Sequence, residues 1–290
     1  MNLHITNENA PLEAVVLGIG TDLGKPIGIN PMMRYHIAQG TYPTEATIQA
    51  EISTFEQILC ANGVRVYRPE NLSGVDQIFT RDIGFVIEDK FLVANMQEVS
   101  RQPEIKGIQC LLDQIGSSNV IHIPEMVTVE GGDVIVWKEH IFVGVGARTN
   151  AAAVTFLQKT FPDKQVHGLE LVVDEQNADR HILHLDCAFQ PIGTNEAIFY
   201  EAGFASRPDA ILEVFSTEQL LRVNQAEKNQ MFPNIFSIAP HKIVVERHFT
   251  RLKQELQARG YQTFDVDYSE IAKAGGLLRC STLPLRRQKA

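Results

Sequence analysis

Apolar residues in this chain fall into short runs, paired across a polar turn, a pattern that predicts β-hairpins. Phe85-Val86-Ile87 and Phe91-Leu92-Val93 flank Glu88-Asp89-Lys90, while Val134-Ile135-Val136 and Ile141-Phe142-Val143 flank Trp137-Lys138-Glu139-His140. A third pair spans Ile182 to Tyr200 around Gly193-Thr194-Asn195, and a fourth spans Ile235 to Val245 around Ala239-Pro240-His241-Lys242. The pairs begin near residues 84, 131, 183 and 235, a repeat of roughly 50 residues.

Each pair is followed by a helical pattern and then a short strand. Gln109 to Ile115 precedes Val120-Ile121-His122-Ile123, Ala151 to Thr160 precedes Val166, and Phe249 to Ala258 precedes Thr263-Phe264-Asp265-Val266. Ile211 to Val223 reads as the helix of the remaining unit, with a strand after it less clear. The first unit is incomplete: Ala14-Val15-Val16-Leu17-Gly18 leads through a long loop to a helix over Thr44 to Ala61 and the strand Val64-Arg65-Val66-Tyr67. Leu278 to Leu285, at the other end of the chain, can supply its missing strand and close a ring, which removes exposed sheet edges by radial repetition.

Closure has a chemical consequence. Residues that open each hairpin occupy equivalent places around the axis and converge, although they are far apart in sequence. They are Thr80-Arg81-Asp82, Glu130-Gly131-Gly132-Asp133, His184-Leu185-Asp186 and Arg279-Cys280, with Asn234 in the remaining unit. Buried carboxylates are costly unless they meet a cation, so this ring of acids calls for a positive ligand. A planar guanidinium, with five donors in a fixed fork, fits. A metal is the other choice, and His181-x-x-His184-x-Asp186 resembles a ligand run. In a strand, however, His181 points away from the face shared by His184 and Asp186, so no metal is expected.

The chain has 290 residues, 44% hydrophobic and 21% charged. With no linker-like or low-complexity stretch, one domain over 1–290 is expected. The formal net charge of -9 argues against a nucleic-acid partner, because phosphate binding needs clustered Lys and Arg. The only compact basic run is Arg286-Arg287-Gln288-Lys289. Nothing resembles a secretory leader or a membrane span, so a cytoplasmic location and no membrane partner are expected. Assembly as a homo-oligomer is left open. The cysteines at 60, 110, 187 and 280 show no paired spacing. Cys60 and Cys110 sit in apolar helical patterns and are expected in the core, as is Cys187. Cys280 stands between Arg279 and Ser281, after Gly275-Gly276. Taken alone it fits a structural thiol; at the axis it fits a nucleophile with a lowered pKa.

Phe-Thr-Arg-Asp (79 to 82), Val-Glu-Gly-Gly-Asp (129 to 133), His-Leu-Asp (184 to 186) and Gly-Gly-Leu-Leu-Arg-Cys (275 to 280) resemble, in order, the signatures of the guanidine-modifying penteins. These are arginine deiminases, dimethylarginine hydrolases and amidinotransferases. The resemblance covers essentially the whole chain and implies an α/β fold, a five-bladed ββαβ propeller with pseudo-fivefold symmetry. It implies no cofactor and a small arginine-like guanidino substrate. Cys280 would attack the guanidinium carbon to form a covalent amidino-cysteine, and the substrate's own cation would help to generate the thiolate. His184 would protonate the leaving amine and then activate water. Glu130 would orient His184, and Asp82 and Asp186 would clamp the guanidinium nitrogens. Arg148 resembles the arginine that holds an α-carboxylate, although beside the N-cap-like Thr149 it also fits a residue at the start of a helix. Arg81 joins the substrate-binding set, with Asp133 as a supporting partner.

Water as acceptor makes a hydrolase, and a second amine makes an amidinotransferase. A non-catalytic guanidine-binding protein on the same fold is a third reading. Thr80-Arg81-Asp82 departs from the Thr-Ala-Asn of arginine dihydrolases, which favours single-step chemistry. The ending Gly-Gly-Leu-Leu-Arg-Cys-Ser-Thr-Leu-Pro-Leu reads nearer to deiminases and amidinotransferases than to dimethylarginine hydrolases. Gly24 to Thr44, too polar and Gly-rich for core throughout, is expected to form an entrance lid.

Overall fold

The computed structural model describes residues 1–289. Its chain begins with β1 (Leu12–Leu17), α1 (Pro31–Ala38), α2 (Glu45–Ala61) and β2 (Arg65–Tyr67). The second unit is β3 (Gly84–Ile87), β4 (Lys90–Val93), a 3-10 segment (Val99–Ile108), α3 (Gln109–Ile115) and β5 (Val120–His122). The third is β6 (Val134–Trp137), β7 (His140–Val145), α4 (Ala152–Thr160) and β8 (Gln165–Glu170). The fourth is β9 (Phe189–Ile192), β10 (Glu196–Phe199), α5 (Asp209–Val214) and β11 (Leu220–Arg222). After α6 (Gln225–Asn229), the fifth is β12 (Phe236–Ala239), β13 (Lys242–Glu246), α7 (Thr250–Ala258) and β14 (Gln262–Val266), and the chain ends with α8 (Ser269–Ala272) and β15 (Thr282–Arg287).

These strands form five three-stranded sheets. In each unit an antiparallel hairpin is joined by a strand that runs parallel to the hairpin's second member, the crossover being made by the helix. The first sheet has the order β15-β1-β2: β15 lies antiparallel to β1, with Leu17 opposite Thr282 and Val16 opposite Leu283, and β2 lies parallel to β1. The C-terminal strand therefore closes the ring as the apolar pattern requires. The first hairpin strands β3, β6 and β9, although each lies at the edge of its sheet, are buried throughout, as expected for strands covered on both faces.

Three expectations need correction. Ile211 to Val223 is not one helix: α5 stops at Val214, and Leu220–Arg222 is the strand that pairs parallel with β10. The apolar content of Leu220 and Leu221, both buried, serves a sheet rather than a helix face. Second, Ile182 to Asp186 is not strand. The hairpin begins at Phe189, His184 is extended, and Leu185–Cys187 forms a single 3-10 turn. Gly131–Asp133 makes the same kind of turn before β6, so the axial residues sit on tight turns and not on alternating strand positions. Third, Cys60 and Cys110 are exposed. α2 buries Ile48, Ile52, Phe55 and Leu59 on one stripe, and Cys60 lies just off it; α3 buries Leu111, Leu112 and Ile115 and turns Cys110 outward, its Sγ 3.1 Å from Glu70 Oε1.

Leu283 is fully buried in the strand that closes the ring. Leu283→Ala should lower unfolding stability by about 2–5 kcal/mol, read by urea denaturation; a loss within the error of the measurement would show that closure does not depend on this packing.

Candidate active site

The turn Gly131–Asp133 brings backbone close to two side chains. A Cβ on Gly132 would lie 2.7 Å from Asp82 Oδ1 and 2.8 Å from His184 Cγ, and one on Gly131 would lie 2.1 Å from the Arg81 carbonyl oxygen. The pair is therefore glycine because acid, imidazole and backbone meet there. The Gly132 amide donates to Asp82 Oδ1 at 3.2 Å. Asp133 fixes the facing turn: its Oδ1 accepts from the Leu185 amide at 2.8 Å and its Oδ2 from Thr149 Oγ1 at 2.6 Å. Burial pushes its carboxyl up to about 7.

His184, Glu130 and Asp82 form the centre. His184 Nε2 lies 2.8 Å from Glu130 Oε2, and Nδ1 lies 3.7 Å from Asp82 Oδ1. Burial opposes the imidazolium, but Asp82, Asp133 and Glu130 outweigh it and raise His184 to about 9. Burial likewise opposes the carboxylates, yet Glu130 is held below its ordinary range by the His184 contact and Arg148. Asp82 is held low by His184 and Arg101. The site thus holds a buried imidazolium among carboxylates at neutral pH. The ligand atoms of the three residues lie within 4.8 Å of one another, a spacing that could also take a cation; His184, Arg101 and Arg148 already bring positive charge to it. His181, the other half of the ligand-like run, lies apart, its Nδ1 accepting from the Asp174 amide at 3.2 Å.

Cys280 and Asp186 form the neighbouring half. Cys280 is 2% exposed, with Sγ 3.6 and 3.9 Å from the two Asp186 oxygens. Asn234 holds it at both ends: its Nδ2 donates to Sγ at 3.1 Å and its Oδ1 accepts from the Cys280 amide at 3.1 Å. The expectation of a lowered thiol pKa is overturned. Burial, then Asp186, push the thiol well above its ordinary value. The flanking Arg279 does not offset this because its guanidinium turns to Asp186 Oδ2 at 2.9 Å and Glu8 Oε1 at 3.2 Å. His184 and Asp186 also part company: on a turn, not a strand, one faces Glu130 and the other faces Arg279 and Cys280.

The remaining site residues divide. Arg148 comes to the centre, its Nη1 3.6 Å from Glu130 Oε2 but without a hydrogen-bond partner among the described residues. Its Nη2 donates to the Ile29 carbonyl at 2.8 Å. Arg81 does not join the centre. Its Nε donates to the Arg279 carbonyl at 3.3 Å and its Nη2 to Thr282 Oγ1 at 3.4 Å. Cys187 is buried, with Sγ 3.7 Å from Asp186 Oδ1. The 24–44 segment packs over this region: Asn30 caps α1, donates to the Ala274 carbonyl at 3.1 Å, and sits where a Cβ on Gly275 (φ +93°) would fall. Arg34 pairs with Glu175 at 2.9 Å.

Two residues carry more of the site than the sequence suggested. Arg101 donates to Asp82 Oδ2 at 2.7 Å and grips both oxygens of Glu104 at 2.7 and 3.0 Å, so one edge of Asp82 is already occupied. An Arg-x-x-Glu in a polar stretch reads as a surface pair, and no motif marks it as buried. Asn234 was placed at the axis by the repeat, but nothing in its surroundings in sequence gave it a role. Beside Arg101 and Glu104, a cavity of ≈ 240 Å³ runs under the loop, lined also by Leu23, Ile29, Tyr42 and Asp76.

Residues 32–287 match the family model of eukaryotic N,N dimethylarginine dimethylhydrolase. An uncharacterised protein of Bacillus subtilis, YkgA, is 34% identical over 214 residues, 73% of this chain and 70% of that protein. The N(G),N(G)-dimethylarginine dimethylaminohydrolase of Mycobacterium tuberculosis is 25% identical over 89% of this chain and 80% of its own length. Among solved structures, SxtG, an amidinotransferase from Microseira wollei, superposes with a TM-score of 0.83 at 19% identity, covering 99% of this chain and 98% of its own. The chain belongs to the dimethylarginine dimethylaminohydrolase family, within the guanidine-modifying penteins. The leaning toward deiminases and amidinotransferases drawn from the C-terminal motif is not what the family model supports.

Because His184 is raised from 6.5 to about 9, the stability it contributes is fully present below its ordinary value and is lost as pH climbs through the folded one. Urea denaturation between pH about 6.5 and about 9 should show declining stability for the native chain and a flatter profile for His184→Gln. With a neutral, buried Cys280, iodoacetamide at pH 7 should modify exposed Cys60 before Cys280, as read by peptide mass spectrometry; the reverse order would refute a protonated resting thiol.

Proposed function

We propose that this member of the family is a cysteine hydrolase of the guanidino C–N bond of arginine or an arginine derivative, forming citrulline and ammonia or an alkylamine. The observation that carries the reading is a pair of buried clusters, a Cys280 thiol flanked by Asp186 and Asn234 and a His184 imidazolium held by Glu130 and Asp82, with the Asp82 charge acting on both the imidazole and the thiol. In the resting state the imidazolium is already the acid that the first step needs, but the sulfur is not yet a nucleophile, because the thiol keeps its proton. A guanidinium arriving beside Asp186 adds the positive charge that offsets a thiolate, so the thiol loses its proton to solvent as substrate binds, and Asn234 Nδ2 donates to the sulfur as it ionises. Substrate binding and nucleophile activation are one event.

Sulfur then bonds to the guanidinium carbon, and His184 gives its proton to the departing nitrogen as the C–N bond breaks. The neutral imidazole next takes a proton from water, whose oxygen adds to the amidino carbon. The tetrahedral adduct expels the Cys280 sulfur, which takes up the proton of the adduct's hydroxyl, leaving the neutral ureido product and the resting thiol. Glu130 supports both roles by holding Nε2. Asp186 contacts the guanidinium nitrogens; Asp82 does so with the oxygen edge not held by Arg101. The unpartnered Arg148 Nη1 fits a substrate α-carboxylate.

Turnover should be measured with arginine, its methylated forms, agmatine and guanidinoacetate, with and without glycine, lysine or ornithine. Ureido product independent of acceptor supports the hydrolase; guanidino transfer that requires an acceptor overturns it in favour of an amidinotransferase. Cys280→Ser should abolish turnover while still binding substrate. His184→Gln should reduce kcat by about 10²–10⁴-fold, and intact-mass analysis during turnover should reveal the amidino adduct on the native chain. Absence of both turnover and adduct with every guanidine would favour a binding protein.

A further inference from the structure

Arg81 carries one of the sequence signatures yet takes no part in the site. It belongs to a second buried cluster, behind Arg279, which links Asp186 to Glu8. Glu8, Arg81, Asp186, Arg279 and Arg287 are 5%, 4%, 0%, 0% and 1% exposed. Three guanidiniums therefore face two carboxylates. Arginine does not shed its proton to correct such an imbalance, and an uncompensated buried charge is expensive. Burial and the mutual repulsion of the arginines depress Arg81 to about 9 and Arg287 to about 10, against the pull of Glu8.

A small space and an unpartnered donor occur together at Arg287. A cavity of ≈ 10 Å³ is lined by Glu8, Arg81 and Arg287 together with apolar Phe85, Val134 and Pro284. It admits one water or one monatomic ion and is too small for phosphate, sulfate or a carboxylate. Arg287 spends its Nη1 and Nη2 on the carbonyls of Ala10 and Ser237, at 2.7 and 2.9 Å. Its Nε, like that of Arg279, has no partner among the described residues. Glu8 turns Oε1 to Arg279.

We propose that this cavity binds a single halide, chloride in ordinary solution, held by Arg81 and Arg287 and completing the charge balance of the arginine cluster. A fixed anion there compensates the cationic cluster through which Arg279 is anchored to Asp186, and so stabilises the support beneath Cys280.

Crystals of the native chain grown or soaked in sodium bromide should show one anomalous peak within hydrogen-bonding reach of the Arg81 and Arg287 guanidiniums. Thermal unfolding at constant ionic strength should shift upward, saturably, as chloride or bromide replaces gluconate. Arg287→Met and Arg81→Met each remove the excess charge, and in whichever variant folds the halide-dependent shift should disappear. A water in the cavity with no anomalous peak in bromide, or an equal halide response in native chain and variants, would overturn the proposal.

Discussion

The antiparallel pairing of β15 with β1 is the constraint on which the rest depends. The register places Thr282 opposite Leu17, and Cys280 then falls on the turn just before the strand. The nucleophile candidate reaches the axis only because the last strand completes the first sheet. The same pairing brings the first sheet to three strands, matching the four sheets that the other units build from their own segments.

Electrostatics at that gathering point divide into linked halves. His184, Glu130 and Asp82 share charge in a tight, protonated arrangement, while Cys280 stays neutral because burial and Asp186 penalise its anion. Arg101 binds Asp82 and Arg279 binds Asp186, each through one carboxylate oxygen. These arginines lower the cost of burying Asp82 and Asp186, and they also turn the open edge of each acid in a defined direction.

Much of this was legible in the sequence. Hairpins around Glu88-Asp89-Lys90 and Trp137-Lys138-Glu139-His140 could be read because paired apolar runs across a polar turn leave few alternatives, and ring closure followed from the unit left incomplete at Ala14 to Gly18. The convergence of Asp82, Glu130, His184, Asp186 and Cys280 followed from their equivalent places in the repeat. What failed was direction. Strand alternation could not describe His184 and Asp186, because a single 3-10 turn between them sends the two side chains to different partners. Arg279, beside Cys280 in sequence, was expected to lower the thiol pKa, but its side chain runs to Glu8, a residue 271 positions away. Cys60 sits one residue off the buried stripe of α2, and a helical pattern read without its neighbours does not resolve that offset. Arg101 is buried by tertiary contacts alone, so no local pattern could distinguish it from a surface arginine.

Asn234 binds the Cys280 sulfur and amide at once, and it comes from the unit that holds neither His184 nor any of Asp82, Glu130 and Asp186. Together with β15 beside β1, it means that all five repeats contribute to holding one set of side chains. Such a site has no partially assembled version: a chain with one unit out of place loses it entirely. Catalytic competence is therefore a digital report on the whole ring, and duplication or deletion of single units, a common route by which repeat architectures vary, is closed to this one for as long as its chemistry is required.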